Sequence, residues 1–280
     1  GFIGSFLVNY FAEKQWKVRA FARNPIEQKS LFIKHYAFEM PHKVEEEAFI
    51  DADYLIHCAV AKYSINTPNS DEVNIQGTQK LLELSRKHNL KKFVFFSTMS
   101  AHEKARAHYG KHKLHLESIF DLTQEVVLKP GLVLGDGGLF TTIKNTIQKS
   151  SVIPLVDGGK QPIQTIHIEQ LTQVIELILE KSFSGSFYLG EPTSITLKQL
   201  YQAIATTLGT KKRFAYAPSV LVGMALKMLA FLRVHTDITN ENLLGLKALK
   251  PFDTTKSSQQ LNIDFKTYEE SLQELFQKNS

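Results

Sequence analysis

The sequence predicts an α/β fold built on a doubly wound parallel sheet. Over residues 1–130, short β-rich runs alternate with helical patterns, the order that gives right-handed crossovers and helices on both faces of a parallel sheet. Two runs, Leu55-Ile56 and Phe93–Phe96, are apolar on successive residues, which is typical of strands covered on both faces. After Gly131, short strands mix with helices. We therefore expect one domain over residues 1–130 and a smaller α+β lobe over residues 131–280, interleaved with the first.

Each element is predicted from its own pattern of apolar residues. In the first domain we expect strands at Val18–Arg23, His35–Met40, Tyr54–Ala59, Lys92–Ser97 and Glu125–Leu128. We expect helices there at Phe2–Gln15, Asp71–His88 and Tyr109–Asp121, the second having clearly separated apolar and charged sides. In the second lobe we expect strands at Ile163–His167 and Ser186–Leu189, and helices at Glu169–Lys181, Leu197–Leu208 and Tyr268–Gln277.

The composition limits the class of protein. Hydrophobic residues make up 43% of the 280 residues and charged residues 22%, which excludes a wholly disordered or fibrous chain. The net charge of +5 is mild when spread over this length. We expect no nucleic-acid partner, because such proteins gather basic residues into a stripe. Cys58 is the only cysteine, which excludes an intrachain disulfide and favours a reducing, cytoplasmic setting.

One segment, Val220–Leu232, is unusually apolar. Its thirteen residues are interrupted by Lys227, and it is shorter than the roughly 18 residues of a membrane span. We expect a buried helix, or one that forms a homodimer, in preference to contact with a membrane. The chain opens without a methionine or a basic leader, so we also expect no signal peptide.

The chain begins with Gly1-Phe2-Ile3-Gly4 ahead of an apolar helix. A dinucleotide fingerprint uses three glycines: one for a tight turn, one for backbone approach to the pyrophosphate and one for close helix-to-strand packing. The helix N-terminus then offers N–H groups to the phosphates. Only the last two glycines are present, and no strand precedes them beside Val18. We expect a fragment that lacks its first strand; two glycines in a terminal turn are the alternative.

The ends of the next two predicted strands bear on the choice of cofactor. Arg23 ends the strand that begins at Val18. An acidic residue at this point suits a free ribose 2′-hydroxyl, whereas an arginine suits a 2′-phosphate. Arg23 therefore favours NADP over NAD, with an ordinary surface arginine as the alternative. Glu39 and Met40 end the following strand, where side chains can flank an adenine.

Tyr109 and Lys113 lie four residues apart on a predicted helix, and hence on one face. A tyrosine hydroxyl with its ordinary pKa of about 10 is a poor base at neutral pH. We expect the lysine ammonium to lower that pKa and to hold the nicotinamide ribose. A hydroxyl at the end of the preceding strand, from Ser97, Thr98 or Ser100, would polarise a substrate carbonyl.

We predict no metal site. The ten histidines show no spacing typical of metal ligands, and His108, His112 and His115 fit a solvated helix face. His57 and Cys58 are predicted core residues of a buried strand.

Further motifs join these in a fixed order along the chain. They are Asp53–Ala59, Val73–Thr78, Phe93–Thr98, Lys129–Gly135 and Thr165–Glu169. With them the chain resembles an extended or atypical short-chain dehydrogenase/reductase of the NAD-dependent epimerase/dehydratase family over nearly its whole length. The resemblance implies a Rossmann sheet that binds the dinucleotide and a lobe that binds the substrate.

The resemblance also implies residue roles. Tyr109 matches the acid/base of the family, Lys113 its ribose-binding partner, and Thr98 the carbonyl-polarising hydroxyl, with Ser97 and Ser100 as rivals. Asn74 matches a structural asparagine. The residues expected to border the cofactor are Ala59, Val60, Pro130 and Leu132.

Three departures from the family pattern are visible. The gap between Thr98 and Tyr109 is shorter than in typical sugar-nucleotide epimerases, which trims the loop that shapes a sugar site. Lys129 stands where arginine is frequent, and Glu169 where aspartate is frequent.

We therefore expect an NADP-dependent oxidoreductase, or an epimerase or dehydratase that works through a transient ketone. Its substrate would be a carbonyl or alcohol compound, with nucleotide sugars as one class. The alternative, favoured by the trimmed loop and by Val220–Leu232, is a sensor or assembly protein of the same fold that binds NADP(H) without turnover.

Overall fold

The computed structural model describes residues 1–25, 30–61, 69–231 and 239–277. It divides the chain into two compact units, each assembled from three segments. Unit 1 comprises Gly1–Phe96, His115–Leu128 and Thr172–Phe187, and unit 2 comprises Ser97–Leu114, Lys129–Leu171 and Tyr188–Ser280. The division into a cofactor domain over residues 1–130 and a substrate lobe over residues 131–280 stays a prediction.

The described residues form the following elements. The helices are α1 (Phe2–Glu13), α2 (Ser70–Lys87), α3 (His108–Glu117), α4 (Gly138–Lys149), α5 (Ile168–Glu180), α6 (Leu197–Thr207), α7 (Ser219–Phe231), α8 (Asn240–Lys247), α9 (Thr255–Leu261) and α10 (Tyr268–Gln277). The strands are β1 (Val18–Ala22), β2 (Ile33–Glu39), β3 (Lys43–Val44), β4 (Tyr54–His57), β5 (Lys92–Phe96), β6 (Val126–Pro130), β7 (Leu132–Leu134), β8 (Val152–Val156), β9 (Pro162–Ile163), β10 (Thr165–His167), β11 (Gly185–Leu189), β12 (Ile195–Thr196) and β13 (Arg213–Ala217).

The strands of unit 1 confirm the predicted parallel pairing. β1 pairs in parallel with β2, and β4, β5 and β6 pair in parallel in that order, with Val94 opposite both Ile56 and Val126. The strand orders are β1-β2-β3 and β11-β6-β5-β4. Within the described part of the chain no ladder joins β1 to β4, and each strand ends its own sheet. The expectation of a fragment that lacks its first strand stays a prediction.

Helices cover both faces of the sheet formed by β1 and β2, because successive strand residues point to opposite sides. On one side Ala20 and Ile33 form a buried cluster with Ala12 of α1. On the other side Tyr36 and Phe38 join a larger cluster. The other buried members of that cluster are Ala48, Phe49, Leu81, Leu82, Leu84, Phe93, Phe95, Leu116, Phe120 and Val127. The doubly wound arrangement is therefore present in unit 1.

Polar contacts join distant segments of unit 1. Glu176 of α5 accepts hydrogen bonds from the Tyr10 hydroxyl at 2.7 Å and from the Lys14 ammonium at 2.6 Å, both on α1. The buried ammonium of Lys92 donates to the carbonyl oxygen of Gln124 at 2.8 Å and to the hydroxyl of Ser184 at 2.7 Å. Because a buried charge is costly without partners, these bonds allow a lysine inside β5.

Unit 2 is built from small two-stranded ladders. β7 pairs with β10 and β8 with β13, both in parallel, while β9 and β12 pair antiparallel. Helices α4, α6 and α10 contribute to the core around β8. Thr196 begins α6 with a capping box completed by Gln199, which satisfies backbone donors at the helix start.

Glu191 connects two elements of unit 2. Its carboxylate is buried and accepts hydrogen bonds from the backbone and hydroxyl of Thr165 in β10, both at 3.0 Å. Its second oxygen accepts from the backbone N–H of Tyr268 at the start of α10, at 3.1 Å. Desolvation by burial is the largest influence on this carboxyl and raises its pKa, although the hydrogen bonds oppose that shift.

Helix α7 contradicts the prediction of a buried helix. Val220 is 69% exposed, Leu221 58%, Met224 61% and Met228 60%. The predicted homodimer stays a prediction. None of the described helices is both long enough and apolar enough to cross a membrane.

Two further predictions about burial were wrong. Cys58 lies beyond the end of β4 and is only partly buried, because β4 ends at His57. His112 is buried, whereas its helical neighbours His108 and His115 are exposed. The helical spacing of the three histidines therefore does not describe one solvated face, because α3 turns His112 inward.

The aromatic cluster generates a test of the core of unit 1. Phe95 is fully buried and its ring stacks on Phe120 at 4.8 Å. We expect Phe95→Ala to lower the free energy of unfolding by about 3–5 kcal/mol, because it removes apolar contacts and leaves a cavity. Urea unfolding measures this change. Leu31→Ala is the control, since Leu31 is almost fully exposed and should change stability by no more than about 0.5 kcal/mol; equal losses would contradict the assignment.

Candidate functional site

The first turn of α1 is the predicted phosphate-binding element. Gly1 occupies the N-cap position and no side chain caps the helix, so the first backbone N–H groups are not used by a side-chain cap. A Cβ built on Gly4 would lie 4.0 Å from Cβ of Cys58. This close approach places the start of α1 beside the carboxyl end of β4, where ligands of parallel sheets bind.

Arg23 lies near the same edge of unit 1. It follows β1 directly and is exposed. Because α1 packs on β1 and precedes it after a short turn, the two elements run in opposite directions. The end of β1 therefore lies at the edge where α1 begins.

Asn74 fixes the chain that follows β4. Its side chain is buried, accepts a hydrogen bond from the backbone N–H of Ala61 at 2.8 Å and donates one to the carbonyl oxygen of Ala61 at 2.9 Å. Both backbone groups of Ala61 are thus held by one amide, next to Ala59 and Val60, which are partly buried. The scaffold role predicted for Asn74 agrees with these contacts.

Glu39 and Met40 differ in their surroundings. Glu39 ends β2 and is exposed, while Met40 follows the strand and is partly buried. A Cβ built on Gly77 of α2 would lie 2.7 Å from Cγ and Sδ of Met40. Met40 is therefore packed tightly on α2, and its role beside an adenine stays a prediction.

In unit 2, the turn after β5 is fixed by backbone and lysine contacts. The backbone N–H of Met99 donates to the carbonyl oxygen of Pro130 at 3.1 Å. The buried ammonium of Lys129 donates to the carbonyl oxygen of Ala101 at 2.7 Å and lies 5.1 Å from the ring centroid of Tyr188. These contacts hold the turn that carries Thr98 against the end of β6.

The start of α3 packs against the same turn. A Cβ built on Gly110 would lie 2.4 Å from the carbonyl oxygen of Ser100 and 3.1 Å from Cβ of Ala105. Glycine therefore allows the helix to come this close. The contact places Tyr109, adjacent to Gly110, in the neighbourhood of the turn that carries Thr98, and Lys113 follows one helical turn later.

The hydroxyl groups of the turn are not equivalent. Ser97 is buried, whereas Thr98 and Ser100 are partly exposed. The Thr98 oxygen accepts a hydrogen bond from the backbone N–H of Ser100 at 3.2 Å, which orients it and leaves its O–H as a donor. Thr98 is the hydroxyl best supported by these contacts, and the assignment stays a prediction.

The electrostatic setting of Tyr109 differs from the expectation. Half of the residue is exposed (50%), yet desolvation by the surrounding protein raises the pKa of its hydroxyl above the ordinary value. Lys113 was predicted to lower that pKa, and the direction in this structure is the opposite. Lys113 itself is buried, so packing around the pair favours the neutral phenol.

Pro130 and Leu132 are held by the strands around them. A Cβ built on Gly131 would lie 2.2 Å from the carbonyl oxygen of Gln164, so glycine is required between them. The N–H of Leu132 donates to that same carbonyl at 2.9 Å, and the N–H of Gly131 donates to Leu189. Pro130 is buried and Leu132 partly buried; their contact with a nicotinamide stays a prediction.

A cluster that the sequence pattern did not reveal lies elsewhere in unit 2. His167, Glu169 and Glu274 each place one potential ligand atom within 4.8 Å of the others. The ammonium of Lys266 pairs with Glu274, and the N–H of Glu169 donates to Nδ1 of His167 at 3.2 Å. One carboxylate of this cluster already has an ammonium partner, and the expectation of no metal site stays a prediction.

Comparison with known proteins identifies related sequences and folds. The sequence model of the NAD dependent epimerase/dehydratase family matches residues 1–188. No curated protein matches the chain. Among solved structures, UDP-glucose 4-epimerase from Thermotoga maritima with UDP-glucose is 20% identical, with a TM-score of 0.73, and the match covers 100% of this chain and 96% of that one.

Two other solved structures are similar over comparable lengths. dTDP-glucose 4,6-dehydratase from Bacillus anthracis in complex with NAD is 18% identical, with a TM-score of 0.74 and coverage of 99% of this chain and 93% of that one. MoeE5 in complex with UDP-glucuronic acid and NAD is 16% identical, with a TM-score of 0.73 and coverage of 100% and 96%. These likenesses show the α/β fold.

The close approach of α3 generates a test with a matched pair of helical glycines. We expect Gly110→Ala to destabilise the protein by about 1–3 kcal/mol, because the added Cβ meets a carbonyl oxygen that cannot move freely. Gly245→Ala should instead stabilise by up to about 1 kcal/mol, since the Cβ there would make an ordinary 3.4 Å contact with Ala107. Thermal and urea unfolding measure both changes, and stabilisation by both substitutions would contradict the close packing of α3.

Proposed function

The chain belongs to the NAD dependent epimerase/dehydratase family, and from this premise we propose that it is an NAD(P)-dependent enzyme that oxidises and reduces an alcohol or carbonyl carbon. The reaction is that of an oxidoreductase, or of an epimerase or dehydratase that passes through a transient ketone. One observation carries the proposal. The turn with Thr98 lies against both the Gly110 segment of α3 and the end of β6.

Three residues of unit 2 have roles in the proposed chemistry. Tyr109 takes a proton from the substrate hydroxyl during oxidation and returns one to the carbonyl oxygen during reduction. Thr98 donates a hydrogen bond to that oxygen and stabilises the charge that develops on it. Lys113, one helical turn after Tyr109, holds a ribose hydroxyl.

Residues of unit 1 at the start of α1 and after β1 are proposed to bind the dinucleotide. The first turn of α1 has no side-chain cap, so the segment Gly1-Phe2-Ile3-Gly4 would hold the diphosphate through backbone N–H groups. Arg23 would meet the ribose 2′-position, which favours NADP over NAD. The residues proposed to border the rest of the cofactor are Glu39, Met40, Ala59 and Val60 of unit 1 and Pro130 and Leu132 of unit 2. The chemistry that the cofactor supplies is hydride transfer at C4 of the nicotinamide.

A nucleotide sugar is the proposed substrate class. The Thermotoga maritima structure contains UDP-glucose, and MoeE5 contains UDP-glucuronic acid with NAD. The family name and these ligands together support a sugar hydroxyl as the group that is oxidised.

The raised pKa of Tyr109 favours a second candidate function. A pKa above the ordinary value of about 10 makes the phenolate scarcer still at neutral pH, which favours a sensor that binds NADP(H) without turnover. Cofactor binding in the absence of any turnover would support this candidate.

The catalytic proposal generates a test of Tyr109. We expect Tyr109→Phe to lower kcat for nicotinamide reduction by about 10²–10⁴-fold, measured by absorbance across a panel of nucleotide sugars and simple alcohols. Because the pKa of Tyr109 is raised, oxidation by the unaltered protein should accelerate as the pH rises and more phenolate forms. The substitution should remove that rise.

Tyr54→Phe is the matched control for this test. Tyr54 lies in unit 1 with its ring centroid 5.8 Å from that of Trp16, and the substitution should leave turnover unchanged. Equal turnover of Tyr109→Phe and the unaltered protein would sink the catalytic assignment.

The cofactor proposal generates a test of Arg23. We expect Arg23→Ala to weaken NADPH binding by about tenfold or more, because a hydrogen bond to a charged group contributes about 1.5–3 kcal/mol, and to leave NADH binding unchanged. Calorimetric titration measures both affinities. Arg106→Ala removes another exposed arginine and should change neither. Equal weakening of both cofactors by Arg23→Ala would exclude a contact with the 2′-phosphate.

A further inference from the structure

Helix α7 presents an uncovered apolar face, which we call the α7 apolar face: Val220, Leu221, Met224 and Met228. The residues recur at spacings of one, three and four, which places them on one side of a helix. All four are more than half exposed. Soluble proteins seldom leave a continuous row of large apolar side chains open, and such a surface usually marks an interaction site.

The opposite side of α7 packs against other residues of unit 2. Val222, Gly223, Leu226 and Leu229 are partly buried, and a Cβ built on Gly223 would lie 3.4 Å from Leu243 of α8. The ammonium of Lys247 donates to the hydroxyl of Ser219 at the start of the helix, at 3.1 Å. The helix is thus held in place by one side, and the α7 apolar face needs no refolding to become available.

The net positive charge of the chain falls in the stretch of sequence that contains this helix. Residues 211–250 contain seven lysines and arginines and two acidic residues, whereas the rest of the chain contains 26 of each kind. Within α7 the only charged residue is Lys227, which is exposed and borders the α7 apolar face.

We propose that the α7 apolar face docks onto the surface of an anionic phospholipid bilayer. Apolar segments of about 10–14 residues are typical of buried helices or of helices that lie in a membrane interface, and the exposure of α7 excludes the first. A helix lying in the interface inserts its apolar side chains among the acyl chains while basic residues meet the headgroups. Lys227 can extend its ammonium to the headgroups from the border of the face.

Charge and chemistry favour a lipid bilayer over two other occupants of the α7 apolar face, a second copy of this chain and a different protein. A second copy would bring two surfaces of the same positive sign together, which costs free energy. A protein partner is recognised through hydrogen bonds around an apolar centre, and the four side chains of the α7 apolar face offer none. An anionic bilayer requires only that the apolar side chains insert among the acyl chains and that a basic residue meets the negatively charged headgroups.

Vesicle flotation of the full chain tests the proposal. We expect binding to vesicles of phosphatidylcholine and phosphatidylglycerol to exceed binding to pure phosphatidylcholine by about tenfold or more, and to fall as salt is added. Leu221→Glu should reduce binding to anionic vesicles about tenfold or more, because it removes a leucine that would insert among the acyl chains and adds a negative charge. Leu139→Glu is the matched control: Leu139 is a similarly exposed leucine on α4 of the same unit, and its variant should bind as the unaltered protein does.

A fluorescence experiment measures insertion directly. Trp16 is the only tryptophan of the chain, so Met224→Trp and Leu139→Trp share the same background. Anionic vesicles should shift the emission of the first variant to shorter wavelength and leave that of the second unchanged. An equal response of the two variants would overturn insertion of α7.

Three other outcomes would overturn the proposal. The first is absence of binding to anionic vesicles. The second is a dimer, detected by analytical ultracentrifugation, that Leu221→Glu dissociates, since this identifies a second copy as the occupant. The third is binding to soluble polyglutamate that is lost in Leu221→Glu and accompanied by no vesicle binding, since this identifies an acidic protein surface.

Discussion

The candidate catalytic residues depend on the fixed turn that follows β5. The backbone N–H of Met99 in this turn donates to the carbonyl oxygen of Pro130, and the ammonium of Lys129 donates to the carbonyl oxygen of Ala101, which follows the turn. The absence of a side chain at Gly110 then brings α3 against the turn. The end of β6, the buried ammonium of Lys129 and the absence of a side chain at Gly110 together determine which residues of α3 lie near the turn that carries Thr98. Chemistry at a sheet edge requires this kind of rigid support, since small displacements of reacting groups are costly.

The sequence predicted the strands whose apolar residues form a clear run or alternation and missed β8 and β13, whose patterns are interrupted. β4 and β5 consist of apolar runs and were found within a few residues. β8 contains Pro154, which lacks the N–H that a sheet ladder uses, and β13 begins at Arg213 beside two lysines. Neither pattern resembles a buried strand, yet the two strands pair in parallel. A strand with a weak local pattern can be stabilised by pairing with a strand that is distant in the sequence. A single sequence does not reveal which strands pair in this way.

In the candidate site, the spacing of residues along the sequence identified side chains that could act together. It did not reveal the packing around them. The interval between Tyr109 and Lys113 indicated a shared helix face, but the direction of the pKa shift follows from desolvation, which depends on tertiary packing. The cluster of His167 with Glu274 joins residues that are distant in the chain. Helix α7 has apolar residues on all sides, so periodicity could not distinguish a covered face from an open one.

The buried carboxylate of Glu191 links α10 to strand β10 through hydrogen bonds to both elements. If α10 detaches, the carboxylate loses the N–H of Tyr268 while remaining inside the protein, and an unpaired buried acceptor costs about 1–3 kcal/mol. The same event uncovers Leu272 and Leu275, which pack in the core of unit 2. Fraying of this helix is thereby suppressed, and we expect its amides to exchange with solvent deuterium almost as slowly as those of the strand to which Glu191 is bonded.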